Sequence, residues 1–208
     1  MRRSRAEKAE THERILDAAA RRIRAHGPEG VSISELMKAA DLTHGGFYKH
    51  FGSRDALIHA AVARAAAART GLFSEETQAG GPEAVRKVVG RYLSEGHRDN
   101  IAAGCAIAAL AGDVSRQPDP QLSGPVRELA ERGFARMNAA FGGDAATEED
   151  AVFAWCAMLG ALTLSRVFRG EARSGEILDI ARRRIAAMAD MEERAADASE
   201  GADGTGRP

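Results

Sequence analysis

Residues 32–54 constrain the fold more than any other stretch of this 208-residue chain. Apolar side chains recur there at helical spacing, first around Leu36 and Met37 and again at Phe47 and Phe51. The two phenylalanines stand four residues apart, so in a helix they share one face and are predicted to be buried. The stretch therefore predicts two short helices around a turn, followed by the start of a third helix.

Polar residues mark where these short helices begin and end. Ser32 is a candidate N-cap, and Glu35, three residues later, completes a capping box in which its carboxylate bonds back to the Ser32 amide. Asp41 suits the turn, because a short polar side chain tolerates left-handed backbone. Thr43 is the next candidate N-cap, and the helix that it opens is predicted to reach Phe51.

The face opposite the phenylalanines carries hydrogen-bond donors and flat side chains, interleaved with glycines. A glycine inside a helix costs about 1 kcal/mol relative to alanine. Two glycines in so short a helix therefore indicate that its backbone closely approaches another surface, for which DNA is the natural candidate. A polar helix face with turn glycines is the alternative interpretation. The residues of this face are His44, Gly45, Tyr48, Lys49 and His50.

The first 60 residues or so resemble the DNA-binding domain of TetR-family (tetracycline-repressor-like) transcriptional regulators. The matching segments are 11–19 in the first helix, 32–40 in the second and 43–51 in the third, and the most specific match covers 45–57. The resemblance implies a three-helix helix-turn-helix domain over residues 1–56 with a basic N-terminal arm. It also implies a helical regulatory and dimerisation domain over 57–195, followed by a tail at 196–208 that we expect to be disordered.

The resemblance also assigns roles in binding double-stranded operator DNA, residue by residue. Contacts to phosphates are expected from the amides of Ser32 and Ile33 and from the side chains of Tyr48, His50 and Arg54. Contacts to base edges are expected from Thr43, His44, Gly45 and Lys49.

Charge is distributed unevenly along the chain. Residues 1–60 hold 11 Lys and Arg against 8 Asp and Glu, whereas the remainder holds 18 against 22. An excess of this size also fits an ordinary solvated surface, so charge alone does not identify a DNA-binding protein. The basic arm before the first helix could neutralise phosphates or enter a minor groove, and a tail without a role is the alternative. Its residues are Arg2, Arg3, Arg5 and Lys8.

The rest of the chain predicts an all-α protein of about nine helices, with no sustained strand pattern. The first helix is expected over about 11–26, ended by Gly27 and Pro28, and Ser53 is expected to cap the fourth. Pro82 suits the first turn of a helix. The remaining predicted helices cover about 53–71, 82–96, 101–116, 121–141, 147–168 and 175–195.

Residues 151–168 are apolar on nearly every side, so a helix there must be covered on every side. One side can face its own domain, and the other is expected to face a second subunit, as the resemblance implies for the last two long helices. A core helix of a monomer is the alternative. The charge-free run of 151–165 falls short of the ~20 residues that span a bilayer. The predicted dimer contacts are Trp155, Leu159, Leu162, Ile185 and Met188.

The resemblance further implies a pocket for a small-molecule effector among the middle helices, whose occupation weakens DNA binding. For each candidate lining residue taken singly, plain core or helix surface is the favoured alternative. A polar segment at 97–100 could hold a charged group of a ligand or simply terminate a helix. The candidates are Tyr92, His97, Cys105, Phe134, Met137, Asn138 and Trp155.

No motif indicates an enzyme, a metal site or a cofactor, and we expect none of the three. Cys105 and Cys156 form neither a metal-binding spacing nor a disulfide framework, and the charged N-terminus is not a signal peptide, so a cytoplasmic protein is expected. Two alternatives remain open. Cys105 could make the protein a redox- or electrophile-sensing regulator, which requires an exposed, acidic thiol. The chain could also be a helical interaction protein that does not bind DNA.

Overall fold

The computed structural model describes residues 5–39, 44–68, 80–143, 145 and 147–203, with the surroundings of side chains given up to Met191. Within these residues every regular element is helical, which confirms the predicted all-α class. A short 3-10 turn at Ile101–Ala103 joins the α-helices. These are α1 (Arg5–His26), α2 (Ile33–Ala39), α3 (His44–Phe47), α4 (Arg54–Ala67), α5 (Pro82–Tyr92), α6 (Glu95–Asp99), α7 (Ala106–Arg116), α8 (Pro120–Phe141), α9 (Glu148–Val167) and α10 (Ala172–Asp203).

The helices group into two compact units. The first unit contains Met1–Arg69 together with Asn100–Ala130, and the second contains Thr70–Asp99 together with Glu131–Pro208. The predicted limits at residues 56 and 195 divide the chain by function rather than by packing, and they remain a prediction.

The first unit is built on the packing of α1 along α4. The inward faces of both helices carry small and branched apolar side chains, and Arg64 of α4 pairs with Glu13 and with Asp17 of α1, the latter at 2.9 Å. The α1 helix begins at Arg5, six residues before its predicted start, so half of the predicted basic arm is helical. The apolar core between α1 and α4 includes Ile15, Ala19, Ile23, Leu57, Ala61 and Val62.

The end of α1 falls where the sequence predicts it. Gly27 adopts a left-handed φ of 72°, and its amide donates to the Ile23 carbonyl at 2.8 Å. A residue with a side chain would be strained at this φ, which explains the glycine. One turn earlier, Arg24 is buried and its Nε donates to the Ala102 carbonyl at 2.6 Å, which fixes the 3-10 turn to α1.

The second unit is formed by α5, α6, α9, α10 and the C-terminal part of α8. Pro82 occupies the first turn of α5 as predicted, but α5 ends at Tyr92 and the short α6 begins at Glu95, so the predicted single helix to Gly96 is wrong. The Leu93 amide donates to the Val89 carbonyl and closes the last turn of α5. The α10 helix extends to Asp203, eight residues beyond its predicted end.

The α9 helix is 20 residues long. Among the described helices, it is the one that is long and apolar enough to span a membrane. Core helices of soluble proteins satisfy the same criterion, so the observation is weak evidence for a membrane. Only a third of its apolar window is buried within the chain, so the other side of α9 lacks a covering from the described residues.

Gly133 of α8 faces Trp155 of α9. A Cβ atom added to this glycine would lie 2.5 Å from the indole ring. Only the missing side chain allows the indole to lie directly on the α8 backbone, so this glycine sets the separation of the two helices.

Candidate DNA-binding surface

The N-terminus of α2 is capped as predicted on one side only. The Glu35 amide donates to Ser32 Oγ at 3.5 Å, and the Leu36 amide donates to the Ser32 carbonyl at 3.1 Å. The expected return bond from the Glu35 carboxylate to the Ser32 amide is wrong, because that carboxylate accepts from Arg22 of α1 instead. Arg22 also donates to the Gly30 carbonyl at 3.0 Å, so it holds both the α1–α2 connection and α2 against α1.

The predicted helix from Thr43 to Phe51 is shorter in the structure. Regular α-helix covers His44–Phe47, and the chain then continues as hydrogen-bonded turn through His50. The Phe51 amide still donates to the Phe47 carbonyl at 3.0 Å, so this turn keeps nearly helical spacing. Two adjacent glycines explain the short helix, because each lowers helix stability by about 1 kcal/mol.

Phe47 and Phe51 are both buried, with ring centroids 5.8 Å apart, which confirms their assignment to the core. Two of the three side chains between them are exposed. Tyr48 is 62% exposed and Lys49 is exposed. The buried phenylalanines therefore fix a short turn that presents Tyr48 and Lys49 to solvent.

His50 joins the same turn to α1. Its ring lies 6.0 Å from that of His12, and the His12 ring stacks on Phe51 at 4.5 Å. This contact places a half-buried histidine beside the exposed Tyr48 and Lys49. Sequence periodicity did not indicate a role for His12, because a lone histidine on a charged helix face carries no pattern.

Arg54 is used to hold the fold together. Its guanidinium donates to the carbonyls of Pro28 at 3.0 Å and Val31 at 3.4 Å, and it pairs with Glu29 at 3.7 Å. These bonds fix the α1–α2 connection to the start of α4. These bonds give Arg54 a positioning role, and its contact with a phosphate remains a prediction. The adjacent Ser53 caps α4 as predicted, its Oγ accepting from the Ala56 amide at 3.0 Å.

Three of the predicted base-reading positions cannot be compared with the structure. Thr43 lies outside the described residues, and so do the surroundings of His44 and Gly45. Their roles, like those of Ser32, Ile33, Tyr48, Lys49 and His50 toward DNA, remain predictions.

The predicted dimer contacts require a correction. Trp155, Leu162 and Ile185 are 2%, 0% and 1% exposed in a single chain, so they have no surface to offer a partner. Leu159 and Met188 are half-buried. An all-apolar helix gives no preferred face in its periodicity, so the sequence could not distinguish the core side of α9 from its outer side. On the described parts of α9 and α10, the large apolar side chains that are exposed are Val152, Phe153, Leu164, Val167, Ile180 and Met191.

The candidate ligand residues are only partly brought together. In the second unit, the Tyr92 ring packs edge-on against His97 at 4.7 Å and Trp155 at 5.1 Å, and all three are buried. Met137 is buried too, Phe134 is half-buried, and Asn138 accepts from the Thr147 hydroxyl at 2.9 Å just before α9. Cys105 belongs to the first unit, where it is buried at the start of α7.

The polar segment after α5 terminates helices. Arg98 forms two bonds of 2.9 Å with Asp99 and donates to Ser174 at 3.1 Å. Arg166 donates to the carbonyls of His97 and Arg98 at the end of α6. The hydrogen bond from Arg98 is the main cause that lowers the pKa of Asp99. The structure thus favours the helix-terminating role of this segment over a role in holding a ligand.

The comparisons with known proteins agree with this geometry. The family model of bacterial regulatory proteins of the tetR family matches residues 15–61, which contain α2, α3 and most of α1 and α4. An uncharacterized HTH-type transcriptional regulator of Mycobacterium tuberculosis is 28% identical over 166 residues, covering 76% of this chain and 84% of that protein.

Solved structures share the fold over nearly the whole chain. A TetR transcriptional regulator from Chloroflexus aurantiacus matches with a TM-score of 0.68 and 24% identity, covering 88% of this chain and 95% of its own. AibR in complex with isovaleryl coenzyme A and operator DNA matches with a TM-score of 0.58 and 19% identity, covering 83% and 96%. The match at residues 15–61 shows that the chain carries a helix-turn-helix DNA-binding domain of the tetR type, and the solved structures show that it shares the fold of TetR transcriptional regulators.

Proposed function

We propose that the protein is a repressor that binds an operator of two-fold symmetry as a homodimer and is released by a small molecule. The observation that carries this proposal is the turn after α3, where two buried phenylalanines present Tyr48 and Lys49 to solvent. Such a rigid, exposed edge beside a helix-turn-helix suits the major groove of DNA.

Within this edge, each side chain has chemistry that suits a part of the duplex. Lys49 can donate to guanine O6 and N7, and Tyr48 and His50 can donate to phosphate oxygens. The amides of Ser32 and Ile33 at the start of α2 complete the proposed phosphate contacts. So short an element reads few base pairs, so two copies, spaced about one helical turn apart, are needed for a specific site.

The exposed apolar side of α9 and α10 is the proposed surface for the second copy. Phe153 is 61% and Val167 72% exposed, at opposite ends of α9, and Ile180 and Met191 are exposed on α10. Monomeric proteins rarely expose a contiguous apolar patch of this kind, and burial against an identical helix pair would remove it from water. We therefore propose that the dimer forms through these two helices, with Leu159 and Met188 at the edge of the contact.

Two observations support release by a small molecule: a structural relative that binds one, and a buried aromatic cluster in the second unit. The structural relative AibR was solved with both isovaleryl coenzyme A and operator DNA. In this chain the aromatic cluster of Tyr92, His97 and Trp155 offers buried, partly polar walls of the type that line ligand sites. A ligand that binds there lowers DNA affinity only if it prefers a conformation in which the spacing of the two DNA-binding domains does not match the half-sites.

The test is selection of bound sequences from a random pool of double-stranded DNA by the purified full-length protein. We expect a palindrome with half-sites about one turn apart. In a gel-shift assay the logarithm of its affinity should fall linearly with the logarithm of salt concentration. Selection of no sequence above background, with salt-independent retention, would contradict the proposal and favour a helical interaction protein that does not bind DNA.

A thiol-sensing regulator is the second candidate. Cys105 interacts electrostatically with the buried Arg24, whose pKa is lowered chiefly by burial and raised to a lesser degree by Cys105. Cys105 is itself buried, however, which opposes reaction with oxidants. A Cys105→Ser variant that loses its operator response to oxidants would support this candidate, and an unchanged response would exclude it. In either case a DNA-binding regulator works in the cytoplasm of a bacterial cell, where we place this protein.

A further inference from the structure

A cleft of about 250 Å³ opens within the first unit, between the α1–α2 connection, α4 and the segment that leads into α8. Its lining includes three buried apolar side chains, those of Pro28, Ile58 and Leu122. An apolar cavity of about 150 Å³ is already large enough to hold benzene. The cleft therefore has room for a small organic molecule with a ring or a short alkyl group.

A single carboxylate connects two sides of this cleft. Asp119 accepts from the Gln121 amide at 2.8 Å, which caps the first turn of α8, and its other oxygen lies 2.8 Å from His59 Nε2 on α4. The hydrogen bond from the Gln121 amide and the one from His59 both lower the pKa of Asp119. The carboxylate is thus charged at neutral pH and lies where a ligand in the cleft would meet it.

The basic side chain in the lining is already engaged elsewhere. Arg54 directs its guanidinium at the carbonyls of Pro28 and Val31 and at Glu29. Asp55, which also lines the cleft, forms no ion pair within the described residues. The carboxylates of Asp119 and Asp55 are therefore the charges left for a ligand, beside the small apolar surface that Ile58 and Leu122 leave open.

We propose that this cleft is a second small-molecule site, distinct from the aromatic cluster of the second unit, and that it takes a small organic cation with an apolar body. The ammonium group bonds to Asp119 in place of His59, and the apolar body lies on Ile58 and Leu122. Losing the His59–Asp119 bond detaches α4 from the cap of α8. Because α4 directly follows the turn that carries Tyr48 and Lys49, this part of the inference rests on the proposed function and predicts a change in operator affinity.

Three probes of nearly equal shape test the site on the full-length protein without DNA. Benzylammonium chloride, benzyl alcohol and sodium benzoate are titrated at pH 7.5, and binding is followed by calorimetry and by the NMR signals of the histidine rings. We expect the cation to bind at least about tenfold more tightly than the alcohol, because only the cation pairs with the carboxylate, and benzoate not to bind. The His59 signal should shift on binding. Equal binding of all three probes would overturn the proposal.

Asp119→Asn is the decisive variant, because an amide oxygen can still cap α8 while the charge is lost. It should weaken benzylammonium binding at least about fivefold, whereas the matched control Glu131→Gln, on the exposed side of α8, should not change it. Asp55→Asn provides a second test if Asp119→Asn fails to fold. Unchanged affinity in both Asp variants would overturn the site.

The coupling is measured separately on the selected operator. Saturating benzylammonium should change operator affinity in the parent protein but not in Asp119→Asn. Binding of the cation with no effect on the operator complex would refute the coupling and leave the site intact. Failure to select any operator would instead count against the proposed function alone.

Discussion

At the scale of single residues, the proposed DNA-reading surface consists of a few side chains that the core does not need. Tyr48 and Lys49 are exposed, while Phe47 and Phe51 on either side of them are buried. The adjacency of core and surface in five residues means that function and stability can be separated by substitution.

Lys49→Ala should weaken specific operator binding by about 5- to 150-fold, the loss of one good contact to a base pair worth about 1–3 kcal/mol. Tyr48→Ala should weaken binding to specific and nonspecific DNA alike, because phosphate contacts carry no sequence information. Thermal unfolding of both variants should match that of the parent. Gel shifts with Lys87→Ala, an exposed lysine of α5, provide the control. Full operator affinity in both Lys49→Ala and Tyr48→Ala would refute the assignment of this surface to DNA binding.

His97 predicts a pH dependence of stability. It is buried, its Nδ1 donates to the Tyr92 carbonyl at 2.6 Å, and burial is the main cause that lowers its pKa. The unfolded chain binds a proton at this histidine below about pH 6.5 while the folded chain still does not, so stability falls as pH decreases through that range. The slope contributed by this one group reaches at most about 1.4 kcal/mol per pH unit.

His97→Gln, whose amide can still donate to the Tyr92 carbonyl, should flatten the decline in the free energy of unfolding between pH 7 and 5. Denaturant titrations at several pH values measure it. The other histidines contribute equally to both proteins, so the difference between the two curves isolates His97. Parallel curves would show that the folded protein protonates this ring as easily as the unfolded chain.

At the scale of elements, the effect of a glycine depends on what faces it across the helix contact. A Cβ at Gly133 would meet the Trp155 indole, whereas one at Gly90 on the exposed side of α5 would meet nothing within 4 Å. The two glycines lie in helices of the same unit and look alike in sequence.

Gly133→Ala should destabilise the protein by about 1–3 kcal/mol through overpacking. Gly90→Ala should stabilise it by up to about 1 kcal/mol, because alanine is the better helix former and the site is open. Chemical denaturation of the two variants in parallel checks the opposite signs. Equal effects of the two substitutions would mean that α8 and α9 do not approach as closely as described.

At the scale of the whole molecule, the proposed second copy covers the outer side of α9. Phe153→Glu combined with Val167→Glu should give monomers in sedimentation analysis and lower operator affinity by orders of magnitude, because a single head reads only half a site. Arg173→Glu, a charge change at the exposed start of α10, serves as control. A dimeric Phe153/Val167 double variant would place the interface elsewhere.

The sequence by itself determined the local structure of the head. The caps Ser32 and Ser53, the stop at Gly27 and the burial of Phe47 and Phe51 depend on neighbouring residues and were predicted correctly, whereas the start of α1 and the length of α3 were not. The motif at 45–57 lies within the segment that matches the tetR family model, residues 15–61.

Only the tertiary structure decided which side chains from distant positions in the sequence bond to one another. In the folded chain the Glu35 carboxylate bonds to Arg22 rather than to the Ser32 amide, and Arg54 donates to backbone carbonyls. Asp119 bonds to His59, 60 residues earlier in the sequence. The tertiary structure also decided which side of α9 is core, with Trp155 and Leu162 inside and Phe153 and Val167 outside. Periodicity could not supply these results, because it records spacing along one helix and not the direction from which another element arrives.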